Sequence, residues 1–87
     1  MLTTIYKINH ATDTEGNPKE LPIEWTRERY SLDVVKVGRS ARLSWIDNES
    51  GMGLTTSTVE EVAVIHGMTV IKTKNTVYWM KPHVQGV

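Results

Sequence analysis

Short β-branched runs separated by tight-turn signals are the feature that most restricts what this chain can fold into. His66-Gly67 falls between Val62-Ala63-Val64-Ile65 and Thr69-Val70-Ile71, and Lys74-Asn75 falls between Ile71-Lys72-Thr73 and Val77-Tyr78-Trp79-Met80. Runs of this length, broken by residues that tolerate a left-handed backbone, build hairpins. Upstream, Leu32 to Val37 ends at Gly38. Ala41 to Asp47 then alternates, with Ala41, Leu43 and Trp45 on one face and Arg42, Ser44 and Ile46 on the other. These two segments predict a hairpin across Gly38-Arg39-Ser40. After the turn-rich connector Asn48 to Gly53, Leu54 to Ser57 and Val59 to Ile65 again read as strands.

Five or six strands are therefore expected after residue 30. A flat sheet of that many strands leaves an apolar face in water, so a mainly β fold curled into a small antiparallel barrel is the expected architecture. Its expected core is Leu32, Val35, Val37, Leu43, Trp45, Leu54, Val59, Val62, Val64, Ile71, Val77 and Trp79. With 87 residues the chain has room for a single domain. Residues 1–31 carry an N-terminal strand (Leu2 to Ile8), a polar loop expected to be mobile (His10 to Glu20) and an ambiguous segment, Leu21 to Ser31. In that segment either Thr26 caps a short helix over Arg27 to Tyr30, with Trp25 and Tyr30 on the core, or the chain is irregular. Residues 32–81 form the barrel, Pro82 ends the last strand, and residues 82–87 are expected to be a frayed tail.

The chain contains no cysteine, which excludes disulfides, thiol catalysis and Cys-based zinc sites and fits a reducing compartment. Its N-terminus lacks the pattern of a secretory signal, and no run approaches the roughly 20 apolar residues of a membrane helix. A cytoplasmic protein is expected. Ten Lys and Arg balance ten Asp and Glu, but the charges are striped. Trp25 to Ser44 is mostly basic, through Arg27, Arg29, Lys36, Arg39 and Arg42, whereas Ile46 to Val62 holds only Asp47, Glu49, Glu60 and Glu61. Stripes of this kind serve either as paired, solvated strand faces or as a binding patch.

No nucleophile elbow, phosphate-binding loop or zinc-protease motif is present, and Gly51-Met52-Gly53 lacks the third glycine of a dinucleotide site. His10, His66 and His83 are too far apart in sequence to suggest a metal site. Glu60 and Glu61 are neighbours on a strand, so they point apart and cannot jointly flank a substrate bond. The chain is accordingly expected to be no enzyme and to carry no cofactor or metal.

The segments Leu54-Thr55-Thr56-Ser57-Thr58-Val59 and Thr73-Lys74-Asn75-Thr76-Val77-Tyr78 resemble a pattern of small, mostly uncharacterised proteins of phages and mobile elements. The resemblance spans about residues 37 to 81, with Thr58 where proline is usual and Thr76 where serine is. It implies an SH3-like barrel and a phage or prophage origin. Read from the residues themselves, the hydroxyls of Ser57 and Thr73 and the turn residue Asn75 can serve backbone groups that tight connections leave unpaired.

Two functions from different classes are expected. The first is a protein-binding module, a phage-borne factor that engages or inhibits a host protein; separately, a barrel this small could gain core by self-association through an apolar fringe of Met52, Met68 and Met80. The second is a nucleic-acid-binding barrel in which Arg39, Arg42, Lys72 and Lys74 hold phosphates and Tyr78 or Trp79 stacks a base; a nucleotide-like ligand would use the same groups. Either way the expected binding residues are Arg39, Arg42, Lys72, Lys74, Asn75, Tyr78 and Trp79. If their hairpins are neighbours in the barrel, the basic residues and one outward aromatic form a single patch beside an acidic face of Asp47, Glu49 and Glu60. Tyr78 and Trp79 are adjacent on a strand, so one of them must point outward.

Overall fold

A computed structural model describes residues 2–47 and 51–86. The chain forms β1 (Leu2–Thr12), α1 (Ile23–Arg27), β2 (Tyr30–Val34), β3 (Ser40–Trp45), β4 (Gly53–Ile65), β5 (Met68–Thr73) and β6 (Val77–Gly86). The six strands pair antiparallel in sequence order, and β6 returns to β1 to close a barrel. The mainly β, small antiparallel barrel expected from the sequence is therefore what the chain adopts.

Tight turns account for the short connections. His66 (φ 52°) and Gly67 (φ 77°) are both left-handed, the geometry that joins β4 to β5 without splaying them. Between β5 and β6 a threonine does the work expected of it. Thr73 Oγ1 donates to the Thr76 carbonyl at 2.6 Å and accepts the Thr76 N–H at 3.1 Å, while Ser57 Oγ accepts the Asn75 N–H at 3.2 Å.

β4 belongs to two walls. Its first half pairs with β3 as far as Thr58, and its second half pairs with β5 from Val59 onward. An irregularity between Val59 and Glu61 marks the corner, as extra residues commonly do where a strand changes sheets. At the matching irregularity in β3, the Ala41 N–H is held by the buried Thr56 hydroxyl at 3.0 Å instead of by a ladder carbonyl.

The core differs from the expected one at the strand ends. Ile8, Ala11, Tyr30, Ala41, Leu43, Leu54, Val59, Ile71, Tyr78 and Met80 form it, and Leu32, Val35 and Trp45 pack partly buried against it. Val37 is 64% exposed, because β2 stops at Val34 and Val37 lies in the connector. Val62 and Val64 are 41% and 76% exposed although they share register rows with buried Ile71 and partly buried Thr69. Their half of β4 runs past the end of its pairing with β3, so no facing wall covers them. Val77 and Trp79 alternate with buried Tyr78 and Met80 and therefore lie on the outer face. Burial of Met80 also removes it from the apolar fringe expected for self-association.

Three further expectations are corrected at the N- and C-terminal ends of the chain. Residues 82–86 are not a tail: β6 continues through Pro82, and Leu2 to Ile8 pairs with Gly86 to Met80. β1 is thus a full member of the barrel and extends to Thr12. The polar loop is anchored rather than free, by a Thr12–Pro18 bridge and by bonds from the Lys19 N–H to the Ala11 carbonyl (2.9 Å) and from Lys19 Nζ to Thr76 Oγ1 (2.7 Å). Helix α1 precedes the expected position, and Thr26 donates back to the Ile23 carbonyl instead of capping. Tyr30 packs in the core, and its hydroxyl donates to the Trp25 carbonyl at 2.8 Å.

Candidate functional site

Adjacent strands place residues of the same register row side by side on one face. On the outer face of β1, β6, β5 and β4 one row reads His10, Trp79, Val70, Ala63 and the next Thr12, Val77, Lys72, Glu61. These rows, apart from His10, together with Ile65 and with Asp13, Thr14 and Gly16 of the anchored loop, line an open cleft of about 240 Å³. Its floor is mainly apolar, and its charged groups are Lys72, Glu61 and Asp13.

Trp79 is held in place by its neighbours. The His10 ring stacks on it, with centroids 5.1 Å apart and planes 16° from parallel, and His10 Nδ1 lies 2.6 Å from Asn9 Oδ1. The buried Trp79 indole N–H has no hydrogen-bond partner among the described residues. The loop wall is shaped by Asp13, whose carboxylate accepts the backbone N–H groups of Glu15 and Asn17 at 2.9 Å each and the Asn17 side chain at 3.2 Å. The Asn17 backbone N–H, above all, holds the Asp13 carboxyl below its ordinary value.

The chain matches no family model, no curated protein and no solved structure.

The seven expected binding residues are not all brought together. Lys72 and Trp79 meet in the cleft. Tyr78 turns inward, 6% exposed, and burial raises its phenol pKa, so its ring presents no surface for stacking. Arg39, Lys74 and Asn75 gather instead at the bend of β4. The Arg39 carbonyl accepts the Val59 N–H, the Lys74 N–H reaches the Thr58 carbonyl, and the Asn75 N–H reaches Ser57. Arg42 extends along the β3–β4 pair toward Thr55 Oγ1 (3.4 Å) and the Gly51 carbonyl (3.5 Å). The expected acidic face is also divided. Asp47 binds Arg29 through two contacts of 2.8 and 2.5 Å, which lowers the Asp47 pKa and raises that of Arg29, and Glu49 lies outside the described residues.

Sequence reasoning missed the loop wall, since nothing local shows that Asp13 to Gly16 folds over β6. It also assigned Val77 and Trp79 to the core, although the alternation that places Tyr78 inside places both of them outside. Among the described residues, no helix is long and apolar enough to cross a membrane.

Proposed function

We propose that this chain is a non-enzymatic binding protein whose outer cleft receives side chains of a partner protein, as a phage-borne factor that engages or inhibits a host protein in the host cytoplasm would do. The supporting observation is the apolar outer floor of Val70, Ala63, Ile65, Val77 and Trp79 on a barrel whose interior is already filled by other residues. An apolar patch rimmed by polar groups, with an aromatic at its centre, is the usual composition of a protein contact.

Size favours the same reading. At about 240 Å³ the cleft is smaller than the roughly 300 to 1,000 Å³ of sites that enclose small molecules, so it suits one or two anchoring side chains. A nucleic-acid strand would need contiguous cations, whereas Lys72 shares the cleft with the carboxylates of Glu61 and Asp13 and the arginines lie elsewhere. The test is capture from a bacterial lysate with and without nuclease, using the wild type, Val77→Arg and the pair Arg39→Glu/Arg42→Glu. A partner that survives nuclease, is lost with Val77→Arg and is kept by the arginine pair supports the reading. Nuclease-sensitive capture that depends on the arginines overturns it in favour of nucleic acid.

A further inference from the structure

From Glu60 to Ile65, β4 pairs with β5 on one edge, and its other edge has no strand beside it among the described residues. An open edge offers a row of backbone N–H and C=O groups to another strand, and folded proteins usually blunt such edges with lysine, proline or short length. The free stretch of β6 carries Lys81 and Pro82. The open stretch of β4 carries Val62-Ala63-Val64-Ile65, with no lysine and no proline.

We propose that two copies of this chain pair through this edge of β4, antiparallel about a twofold axis at Ala63. This edge borders the outer floor, which shares Ala63 and Ile65 with it, while Val77 and Trp79 lie on β6 away from the seam. The commitment to a second copy comes from the sequence of the edge itself, which is complementary to its own reverse. Centred on Ala63, the register sets Val62 of one copy against Val64 of the other, and brings Glu60 toward His66, the first turn residue beyond β4. The valines lie on the face that the barrel leaves uncovered, 41% and 76% exposed. Pairing would cover both twice over by symmetry, and would set each Glu60 carboxylate near an imidazole donor at the neighbouring turn. Shifting the centre by one residue to Val62 instead sets Val62 against its twin but leaves Val64, the more exposed valine, against Glu60. The twofold arrangement also places Ile65 of one copy opposite Glu61 of the other on the outer face, so each cleft gains a wall from its neighbour.

The decisive measurements are sedimentation across the micromolar range and oxidative cross-linking of single-cysteine variants, clean because the chain has no cysteine of its own. The wild type should sediment as a dimer. Val64→Lys should weaken it by about tenfold or more, since two charges enter the seam, while Val84→Lys, at a site 63% exposed on β6, should leave it intact. Ala63→Cys should form a disulfide across the axis. Val62→Cys should not, because its twin would sit at a diagonal position about 7 to 8 Å away, beyond disulfide reach. Glu60→Lys should weaken the dimer, and Glu60→Lys with His66→Asp should restore it, Asp being tolerated at the left-handed turn position. A wild type that stays monomeric overturns the proposal. So does a dimer indifferent to Val64→Lys, or one that cross-links at Val62 rather than Ala63. Loss of a captured partner protein on Val64→Lys, with no self-association in the wild type, would assign the edge to that partner and also overturn it.

Discussion

At Gly53 the β3 backbone lies close against β4, and the lack of a side chain there is a steric requirement. A Cβ there would lie 2.1 Å from the Leu43 carbonyl oxygen and 2.9 Å from the Ser44 Cα, both backbone atoms that cannot swing aside. Gly53→Ala is expected to lower stability by about 1 to 3 kcal/mol, read as a fall in the urea midpoint at unchanged slope. Thr56 makes a second demand of the same kind. Its hydroxyl accepts the Ala41 N–H and donates to the Ser57 carbonyl at 2.7 Å, so Thr56→Val keeps the volume but strands a buried donor. That change should cost about 1 to 3 kcal/mol, and Thr56→Ser should recover most of it. The threonine itself was legible as a strand residue. Its service to a backbone group 15 residues away was not, because that need arises only where the β3–β4 register slips.

Among the elements, the loop from Asp13 to Asn17 depends on one ionised carboxylate. Its hydrogen bonds favour the charged form and hold the Asp13 pKa below the ordinary 3.8. The unfolded chain therefore takes up this proton first as pH falls, so the contribution to folding is present above about pH 4 and is lost as pH drops through the lower, folded-state value. Amide resonances of Glu15 and Asn17 should move together on acidification below pH 4, and Asp13→Asn should abolish that titration. If those amides move at the ordinary aspartate value instead, the carboxylate is not held by the turn. The same loop forms one wall of the cleft, so partner binding should weaken over the same acid range.

At the scale of the whole molecule, the dimensions of 39 × 27 × 23 Å describe a barrel with long overhanging strands. Burial consequently depends on position along a strand as much as on which face a residue occupies. Met80 and Val64 sit in one register row through Thr69, yet Met80 is fully buried and Val64 is 76% exposed. Met80→Ala is expected to cost about 2 to 5 kcal/mol through the lost contacts and the cavity left behind. Val64→Ala should change the stability of the monomer by less than about 0.5 kcal/mol. Chemical unfolding at low protein concentration measures both, and equal losses would mean that the overhang folds back onto the core.

Local patterns in the sequence specified the strands, the hairpins at His66-Gly67 and Lys74-Asn75, the alternation of Ala41, Leu43 and Trp45, and closure into a barrel. Each follows from interactions between residues a few positions apart, or from the need to hide one apolar face. The tertiary structure decided the rest. Lys19 finds Thr76 across 57 residues, the supposed tail pairs with the first strand, and Trp79 rather than Tyr78 faces outward. Val62 and Val64 lose their cover for the same kind of reason. Periodicity shows which residues share a face, but whether that face is buried depends on what lies opposite, and only the closed barrel sets that.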